Sequence, residues 1–358
     1  MSVTETRVPV LWISGPPGVG KSTVSWQLFT ELAQAGGRVA FADTDQFCMC
    51  YPAPPGDPGR EVIKAQNVGA LVPRFGAAGA RCVIANGVLD PVHGVYPDLM
   101  PQAEMTVCRL RADRDEAIDR SGFADVCVDT SGIPAARVAE LVRDSCRDWP
   151  GFSGSLPAPR REDDADRDLV ADSADGEILL ISGPAGVGKS TIGFQLYLRY
   201  LHDGRTAGYV DLDQIGFIRP SPDDDPGRHR LKAGNLAAMW RTYHAAGARQ
   251  LIATGPIESD EALQTYIRAL PAARVTAVRL HAGHAELTRR IMSRGAGGSW
   301  PQPGDPLRGQ PPEILLQAAD RAAAEARALE RAAALTVLID TDGRTVAEAV
   351  DAIAAMTS

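Results

Sequence analysis

Two stretches of the sequence decide the fold class: Gly-Pro-Pro-Gly-Val-Gly-Lys-Ser at residues 15–22 and Gly-Pro-Ala-Gly-Val-Gly-Lys-Ser at residues 183–190. Each follows an apolar segment typical of a strand, Val10–Ile13 or Ile178–Ile181, and precedes a segment with helical spacing. Glycines adopt backbone conformations that other residues avoid, so several amide groups can point at one anion. The following helix N-terminus adds partial positive charge. The pattern therefore predicts two loops that bind the phosphates of a nucleoside triphosphate.

The residues predicted to bind nucleotide lie within or directly after these loops. They are Gly15, Gly18, Val19, Gly20, Lys21, Ser22 and Thr23 in the first copy, and Gly183, Gly186, Val187, Gly188, Lys189, Ser190 and Thr191 in the second. In such loops the lysine can reach the β- and γ-phosphates, and the serine hydroxyl is a ligand for Mg²⁺. ATP and Mg²⁺ are the expected cofactors, and GTP stays an alternative to ATP.

The two loops belong to one unit that is written twice, at an offset of 168 residues. Pairs at this offset include Gly15 and Gly183, Asp43 and Asp211, Asp45 and Asp213, and Asn67 and Asn235. The offset is 170 at Arg109 and Arg279, and it rises to 211 at Asp129 and Asp340. The second copy therefore has 41 residues, after the point that matches residue 120, which the first copy lacks.

These repeats predict two domains, at residues 1–149 and 176–358, joined by a flexible acidic linker at residues 150–175. The linker is rich in Pro, Gly and Ser at its start, becomes acidic, and has few large apolar residues to bury. A solvated tether is favoured over an acidic interaction tail. An intramolecular contact between the two domains is left open.

Strands and helices alternate within each copy. In the second copy, strands are predicted at 177–182, 205–210, 249–254, 275–280 and 336–339, and helices at 188–201, 226–246, 260–270, 285–294, 313–332 and 345–355. Such alternation predicts an α/β fold in which helices cover both faces of a parallel sheet.

The acidic residues follow the second strand of each copy instead of ending the third. Asp43-Thr44-Asp45 and Asp211-Leu212-Asp213 come after strand two, whereas strand three ends in Ala85-Asn86-Gly87 or Ala253-Thr254-Gly255. On these elements the chain resembles small-molecule kinases with a phosphate-binding loop (P-loop), of the shikimate, gluconate and adenylylsulfate kinase and chloramphenicol phosphotransferase kind. The segment Pro256-Ile257-Glu258 departs from the shikimate kinase pattern. The resemblance implies two tandem domains, each with a five-stranded parallel sheet of order 2-3-1-4-5.

The resemblance also implies roles for the acids. Asp211 would hold Mg²⁺ together with Ser190, and Asp43 would do so with Ser22 in the first copy. Asp213 would bind the acceptor hydroxyl and take its proton, and Gly255 would lie beside the substrate. An Asp-x-Asp pair can instead be a turn or a helix cap. Conservation of its distance from the loop in both copies favours the functional interpretation.

Basic residues complete the predicted site. Arg228, Lys232 and Asn235 lie at i, i+4 and i+7 of a predicted helix, so they share one face, which either binds an anionic or polyhydroxylated substrate or is a solvated stripe. Arg290 and Arg294 end the helix before a Gly/Pro-rich loop. In the kinases that the chain resembles, arginines here close over the phosphates, although cations at a helix C-terminus also stabilise the helix dipole.

The totals exclude several classes of protein. The net charge of −8 and the pI of about 5.3 argue against nucleic acid as a partner, and no apolar run is long enough to span a membrane. No signal peptide is visible, and the six cysteines contain no Cys-x-x-Cys pair, so we expect reduced thiols in a cytoplasmic protein.

The predicted function is an ATP-dependent phosphotransferase that transfers the γ-phosphate to a hydroxyl of a small molecule. Because the first copy lacks the residues that correspond to the lid, the C-terminal copy is predicted to be the working kinase and the N-terminal copy to bind nucleotide or regulate. A nucleotide-dependent regulatory or scaffolding module and a slow ATPase are the alternatives.

Overall fold

A computed structural model describes residues 7–112, 122–155, 174–298, 305–331 and 337–356. Most of the predicted linker lies outside these residues, but its first residues form a short helix, Pro150–Ser153. The chain divides into two compact units. Unit 1 comprises Met1–Met49, Ala53–Asp172 and Gln214–Thr242, and unit 2 comprises Cys50–Pro52, Ser173–Asp213 and Tyr243–Ser358.

The described residues contain strands in both halves of the sequence. They are β1 (Val8–Ser14), β2 (Val39–Asp43), β3 (Cys50–Tyr51), β4 (Cys82–Asn86), β5 (Ala103–Arg111), β6 (Val126–Asp129), β7 (Glu177–Ser182), β8 (Ala207–Asp211), β9 (Ile218–Arg219), β10 (Gln250–Thr254), β11 (Arg274–His281) and β12 (Val337–Asp340).

The α-helices described in the second half of the chain lie close to their predicted positions. The α-helices of the described residues are α1 (Lys21–Gln34), α2 (Glu61–Ala77), α3 (Ala135–Ser145), α4 (Pro150–Ser153), α5 (Lys189–His202), α6 (His229–Ala245), α7 (Asp260–Ala269), α8 (His284–Gly295), α9 (Pro312–Arg331) and α10 (Val346–Ala354). Local signals set several ends: Ser259 accepts a hydrogen bond from the Ala262 amide, and Thr345 forms a capping box with Glu348.

Each unit contains one six-stranded sheet. Unit 1 has the order β6-β5-β1-β4-β2-β9, and unit 2 has the order β12-β11-β7-β10-β8-β3. Counted within one copy, the five parallel strands follow the predicted order 2-3-1-4-5, and the α/β fold class is confirmed. The sixth strand of each sheet is antiparallel, lies at the edge and was not predicted.

The sixth strands come from the opposite half of the sequence. Strand β9 pairs with β2 in unit 1, and β3 pairs with β8 in unit 2. Ile218 lies 168 residues after Cys50, so the two strands occupy the same position in the repeat. Each compact unit is therefore assembled from both halves of the chain.

Central strands are buried on both faces, as parallel sheets covered by helices require. All seven residues of β1 are buried, and the same holds for the last five residues of β7. The phosphate-binding loops leave the carboxyl ends of these two strands, which is where open α/β sheets bind ligands.

Candidate nucleotide and acceptor site

Both glycine-rich loops have the backbone that their sequences predict. Gly183, Gly186 and Gly188 have φ values of 141°, 79° and 100°, and the three matching glycines of the first loop have 146°, 82° and 94°. A Cβ atom at Gly183 would lie 2.5 Å from the Leu280 carbonyl oxygen. The first glycine is therefore required both by its positive φ and by the closeness of a neighbouring strand.

The lysine of each loop begins the following helix and folds over its own loop. Lys189 Nζ donates to the carbonyl oxygens of Gly183 and Pro184 at 2.8 and 2.9 Å, and Lys21 Nζ donates to the Pro16 oxygen at 2.9 Å. Both ammonium groups thus lie over the loop at the positive end of a helix, as the motif predicts.

In unit 2 the predicted metal ligands lie together. The Ser190 hydroxyl donates to Asp211 Oδ2 at 3.1 Å, and Asp211 Oδ1 accepts the Asp213 amide at 3.0 Å. A hydroxyl and a carboxylate are the oxygen ligands that Mg²⁺ prefers, so these residues fit the ion. Burial, followed by the charge of Asp213, raises the pKa of Asp211 to about 6.

Lys189 lies among carboxylates. Burial lowers its pKa, and the charges of Asp213, Glu325 and Asp211 oppose that shift. Glu325 is on α9, and burial raises the pKa of this half-buried carboxyl while Lys189 lowers it. The sequence analysis missed Glu325, because an acid within a long helix gives no signal that it faces a loop far away in the chain.

The two predicted catalytic arginines are both held in defined positions. Arg290 Nη1 donates to the Val187 carbonyl oxygen of the loop at 2.8 Å and to Thr341 Oγ1 at 3.0 Å, while its Nε donates to Glu286 at 2.7 Å. Arg290 therefore braces the loop from the side of α8. Its remaining contact, to the Thr341 carbonyl oxygen at 3.0 Å, fixes the guanidinium plane.

Arg294 lies one turn further along α8. Its Nε donates to Asp305 Oδ2 at 2.8 Å, and the Asp305 side chain is only 2% exposed. The positive charge of Arg294 is near enough to Lys189 to add to the lowering of the lysine pKa. The charges of Arg294 and Lys189 therefore interact, and a role for Arg294 at the phosphates stays a prediction.

In unit 1 the same sequence positions have different partners. Ser22 Oγ donates to Asn86 Oδ1 at 3.2 Å, and the structure gives it no contact with Asp43 among the described residues. Burial, followed by the charge of Asp45, raises the pKa of Asp43 to about 7. Unit 2 has no amide side chain that corresponds to Asn86, because Thr254 occupies that position.

Asp45 is already engaged in an ion pair. Lys64 Nζ lies 3.0 Å from Asp45 Oδ1 and 3.0 Å from Glu61 Oε2, and it also donates to the Val88 carbonyl oxygen at 2.8 Å. The Asp45 carboxylate also accepts the Val88 amide at 3.2 Å. Burial lowers the pKa of Lys64, but these carboxylates raise it by more. The buried Lys64 ammonium and the Val88 amide together hold the Asp45 carboxylate in place.

The two asparagines at matching positions of the repeat, Asn67 and Asn235, each hold a neighbouring segment by a side-chain hydrogen bond. Asn67 Nδ2 donates to the Phe47 carbonyl oxygen at 2.5 Å, and Asn235 Nδ2 donates to that of Ile215 at 2.7 Å. Both asparagines are completely buried. Each asparagine therefore connects its own helix, α2 or α6, to the segment that follows the preceding Asp-x-Asp pair.

Arg228 and Lys232 belong to unit 1, together with Asn235. Arg228 has a φ of 58°, as its counterpart Arg60 has one of 59°, and both precede a helix directly. Lys232 is 1% exposed, and its side-chain carbons would lie 2.7 Å from a Cβ atom at Gly216. Lys189, Asp211 and Asp213 belong to unit 2, so the predicted substrate-binding face and the predicted catalytic acids are parts of different units.

Gly255 is explained by a close approach to the acid pair. A Cβ atom there would lie 2.6 Å from the Leu212 Cβ atom, and the Leu212 amide donates to the Thr254 carbonyl oxygen at 2.7 Å. The end of β10 thus supports the turn between Asp211 and Asp213. Any larger side chain at this position would push that turn away.

None of the helices described is long and apolar enough to cross a membrane. Within the same ranges, no group of three or more His, Cys, Asp or Glu side chains could hold a metal ion. The Mg²⁺ position proposed here differs from such groups, because a hydroxyl is one of its ligands and the nucleotide supplies others.

No protein-family model and no curated protein matches this chain. Several solved structures are similar to it. The tunicamycin resistance protein of Deinococcus radiodurans is 19% identical, over 51% of this chain and 96% of that one, with a TM-score of 0.34. A gluconokinase from Sinorhizobium meliloti is 16% identical, over 51% and 93%, with a TM-score of 0.33.

A shikimate kinase from Bacteroides thetaiotaomicron is 15% identical, over 51% of this chain and 98% of that one, with a TM-score of 0.30. About half of this chain is therefore structurally similar to P-loop small-molecule kinases. At such low identity and TM-score, the chemistry must be judged from the geometry of this chain's own residues.

Proposed function

We propose that this protein is an ATP-dependent phosphotransferase that acts on a hydroxyl group of a small molecule, and that unit 2 is the working site. The contact between Ser190 and Asp211 beside Lys189 carries the proposal. It combines a phosphate-binding loop, a fitting pair of Mg²⁺ ligands and a second acid, Asp213, in one place.

Each residue has a defined task in this proposal. The loop amides and Lys189 hold the β- and γ-phosphates of ATP, and Arg294 neutralises charge on the transferred group. Asp213 accepts the proton of the acceptor hydroxyl as its oxygen bonds to the γ-phosphorus and the bond to the β–γ bridging oxygen breaks. When bound by Ser190 and Asp211, Mg²⁺ supplies charge neutralisation to the phosphates.

We propose a different task for unit 1. Its loop keeps Lys21 and the glycines, so it should bind nucleotide, but the first copy lacks the residues that match the lid of the second copy. Without a lid, water is not excluded from the phosphates, which disfavours transfer to an acceptor. Unit 1 is therefore proposed to bind nucleotide and to regulate.

The proposed compartment is the cytoplasm, because all six cysteines are free thiols. The proposed partners are ATP, Mg²⁺ and a hydroxylated small molecule, with no role for nucleic acid or membranes. The competing function is a regulatory module or a slow ATPase. Unit 1 favours a regulatory element within the protein, since the first copy keeps a nucleotide loop but lacks the residues that match the lid.

One experiment separates these functions. ADP release from MgATP is measured for the full chain, alone and with a panel of hydroxylated metabolites, aminoglycosides and nucleosides. A kinase should be stimulated by about tenfold or more by at least one compound, with a phosphorylated product detected by mass spectrometry. Slow ADP release that no compound changes would replace the kinase proposal with the regulatory or ATPase one.

A further inference from the structure

The exchanged edge strands are the feature of this fold that its proposed activity does not use. The chain passes from unit 1 to unit 2 for Cys50–Pro52 only, and from unit 2 to unit 1 for Gln214–Thr242. Each exchanged segment begins within a few residues of an acid pair: Cys50 follows Asp45 by five residues, and Gln214 follows Asp213 directly. Neither half of the sequence contains all the strands of one sheet.

The exchanged strand of unit 1 is firmly anchored there. The Phe41 amide donates to the Phe217 carbonyl oxygen at 2.9 Å, and Ile218 is 1% exposed. The Phe217 ring lies 5.2 Å from Trp26 and 5.8 Å from Phe41, in edge-to-face geometry. Such contacts belong to a protein core and not to a mobile edge.

A cation extends this anchor. The Arg219 guanidinium lies 5.6 Å from the Trp26 ring and 5.2 Å from the Phe29 ring. The segment 217–219 therefore adds two side chains, Phe217 and Arg219, to the aromatic cluster of unit 1.

The exchanged strand of unit 2 is buried as well. Cys50 is completely buried and pairs with Gly208, and Tyr51 pairs with Ala207. A Cβ atom at Gly208 would lie 2.6 Å from the Tyr243 ring, so this edge of the sheet is closely packed. Removing either short strand would leave a parallel sheet with an open edge and exposed apolar residues.

We infer that the open edge of each sheet is an interaction surface whose partner is the short strand from the other half of the chain, and that this exchange makes both units unfold as one. By thermodynamic linkage, a ligand that binds only the folded form stabilises everything that unfolds together with its binding site. Nucleotide at the loop of unit 2 should therefore stabilise unit 1, a consequence that rests on the proposed nucleotide binding.

The distribution of tryptophans makes the inference testable. Trp12, Trp26, Trp149 and Trp240 belong to unit 1, whereas Trp300 falls in the sequence range of unit 2 and outside the described residues. In a Trp300→Phe protein, tryptophan fluorescence reports on unit 1 alone. Far-UV circular dichroism reports on helices of both units.

The first test needs no nucleotide. Urea unfolding of the Trp300→Phe protein is followed by both signals, and one transition with the same midpoint is expected. Two transitions, or midpoints that differ between the signals, would overturn the inference.

The second test adds a non-hydrolysable ATP analogue with Mg²⁺ to the Trp300→Phe protein carrying Lys21→Ala, which leaves only the loop of unit 2. At about 100-fold excess over the dissociation constant, the fluorescence-detected Tm of unit 1 should rise by several degrees. Binding by calorimetry without this rise would overturn the inference. Absence of binding would overturn the proposed nucleotide site of unit 2, and the urea test would still decide the strand exchange.

A pair of variants locates the coupling in the exchanged strand. Phe217→Ala weakens the anchor of β9, and Arg219→Ala is a milder variant in case the first does not fold. Phe75→Ala, a buried residue of α2 in unit 1, is the matched control. The β9 variants should separate the two unfolding signals, and the control should lower stability while the signals stay coincident. Separation by the control alone, or by neither β9 variant, would count against β9 as the coupling element.

Discussion

Units 1 and 2 keep closely matching loops and the same acid spacing, yet the loop serine has a different partner in each. In unit 2 the Ser190 hydroxyl donates to Asp211, whereas in unit 1 the Ser22 hydroxyl donates to Asn86. A repeated motif therefore preserves the phosphate-binding backbone without preserving the hydrogen bonds around it. The loop backbone serves nucleotide binding, whereas the side chains around it decide how the bound nucleotide is used.

The acid pair should give the largest difference between the units. Asp213→Asn removes the proposed proton acceptor and should lower kcat by about 10²- to 10⁴-fold, since general bases contribute that much. The matched variant Asp45→Asn should change kcat by less than about threefold, because the first copy lacks the lid residues and is proposed not to carry the transfer. Steady-state kinetics with the stimulating compound measures both. Similar losses in the two variants would end the division of labour.

The loop lysines come next. Lys189→Ala should lower kcat/KM by about 10²- to 10³-fold, the usual effect of removing one preorganised stabiliser of the transition state. Lys21→Ala should lower it by less than about threefold and abolish one of two nucleotide-binding events in calorimetry. Equal losses of activity would show that both units catalyse.

Arg294 offers a third test of the comparison, because the first copy lacks the residues that would match it. Arg294→Ala should lower kcat/KM by about 10- to 100-fold, as expected when one charge-assisted contact to the transferred phosphate is lost. Arg289→Ala is the matched control, since Arg289 is exposed and, among the described residues, pairs only with Glu286, so its loss should matter by less than about twofold.

The Arg294 variant also leaves buried Asp305 without its partner, so stability must be measured beside activity. Arg294→Lys restores the charge without the bonds of the guanidinium. If it restores stability but not kcat, the arginine acts on the phosphates. If Arg294→Ala leaves kcat/KM unchanged, Arg294 takes no part in catalysis.

The smallest expected effect concerns pH. The pKa of Asp211 is raised to about 6 and that of Asp43 to about 7. When the pKa of a carboxyl is higher in the folded than in the unfolded state, its protonated form adds to the free energy of unfolding. This added stability is complete below about pH 4 and is lost as the pH rises through the folded-state pKa.

Without Mg²⁺, Asp211→Asn should therefore gain stability relative to the unmodified protein between about pH 4 and 6, by on the order of 1–3 kcal/mol. Asp43→Asn should gain stability in the same way, over a pH range that extends to about pH 7. Urea unfolding at a series of pH values measures both. A gain that does not depend on pH would rule out the carboxyl pKa as its cause.

Much of this architecture could be read from local sequence. The glycine-rich loops and the alternation of strands and helices depend on patterns within about twenty residues, whereas the strand order was implied by the resemblance to P-loop kinases. Helix α7 illustrates this, since it was predicted at 260–270 and is found at Asp260–Ala269 with Ser259 as its cap. The nearness of Ser190 to Asp211 follows from the same topology, because parallel strands end at one edge.

The tertiary structure alone decided the rest. Strands β3 and β9 have two residues each, too few for any periodicity, and their burial comes from partners in the other half of the chain. Lys64 and Asp45 are 19 positions apart, and Glu325 is more than a hundred residues from Lys189. Charges interact through space, so the sequence determined which groups this protein carries, and only packing determined which of them meet.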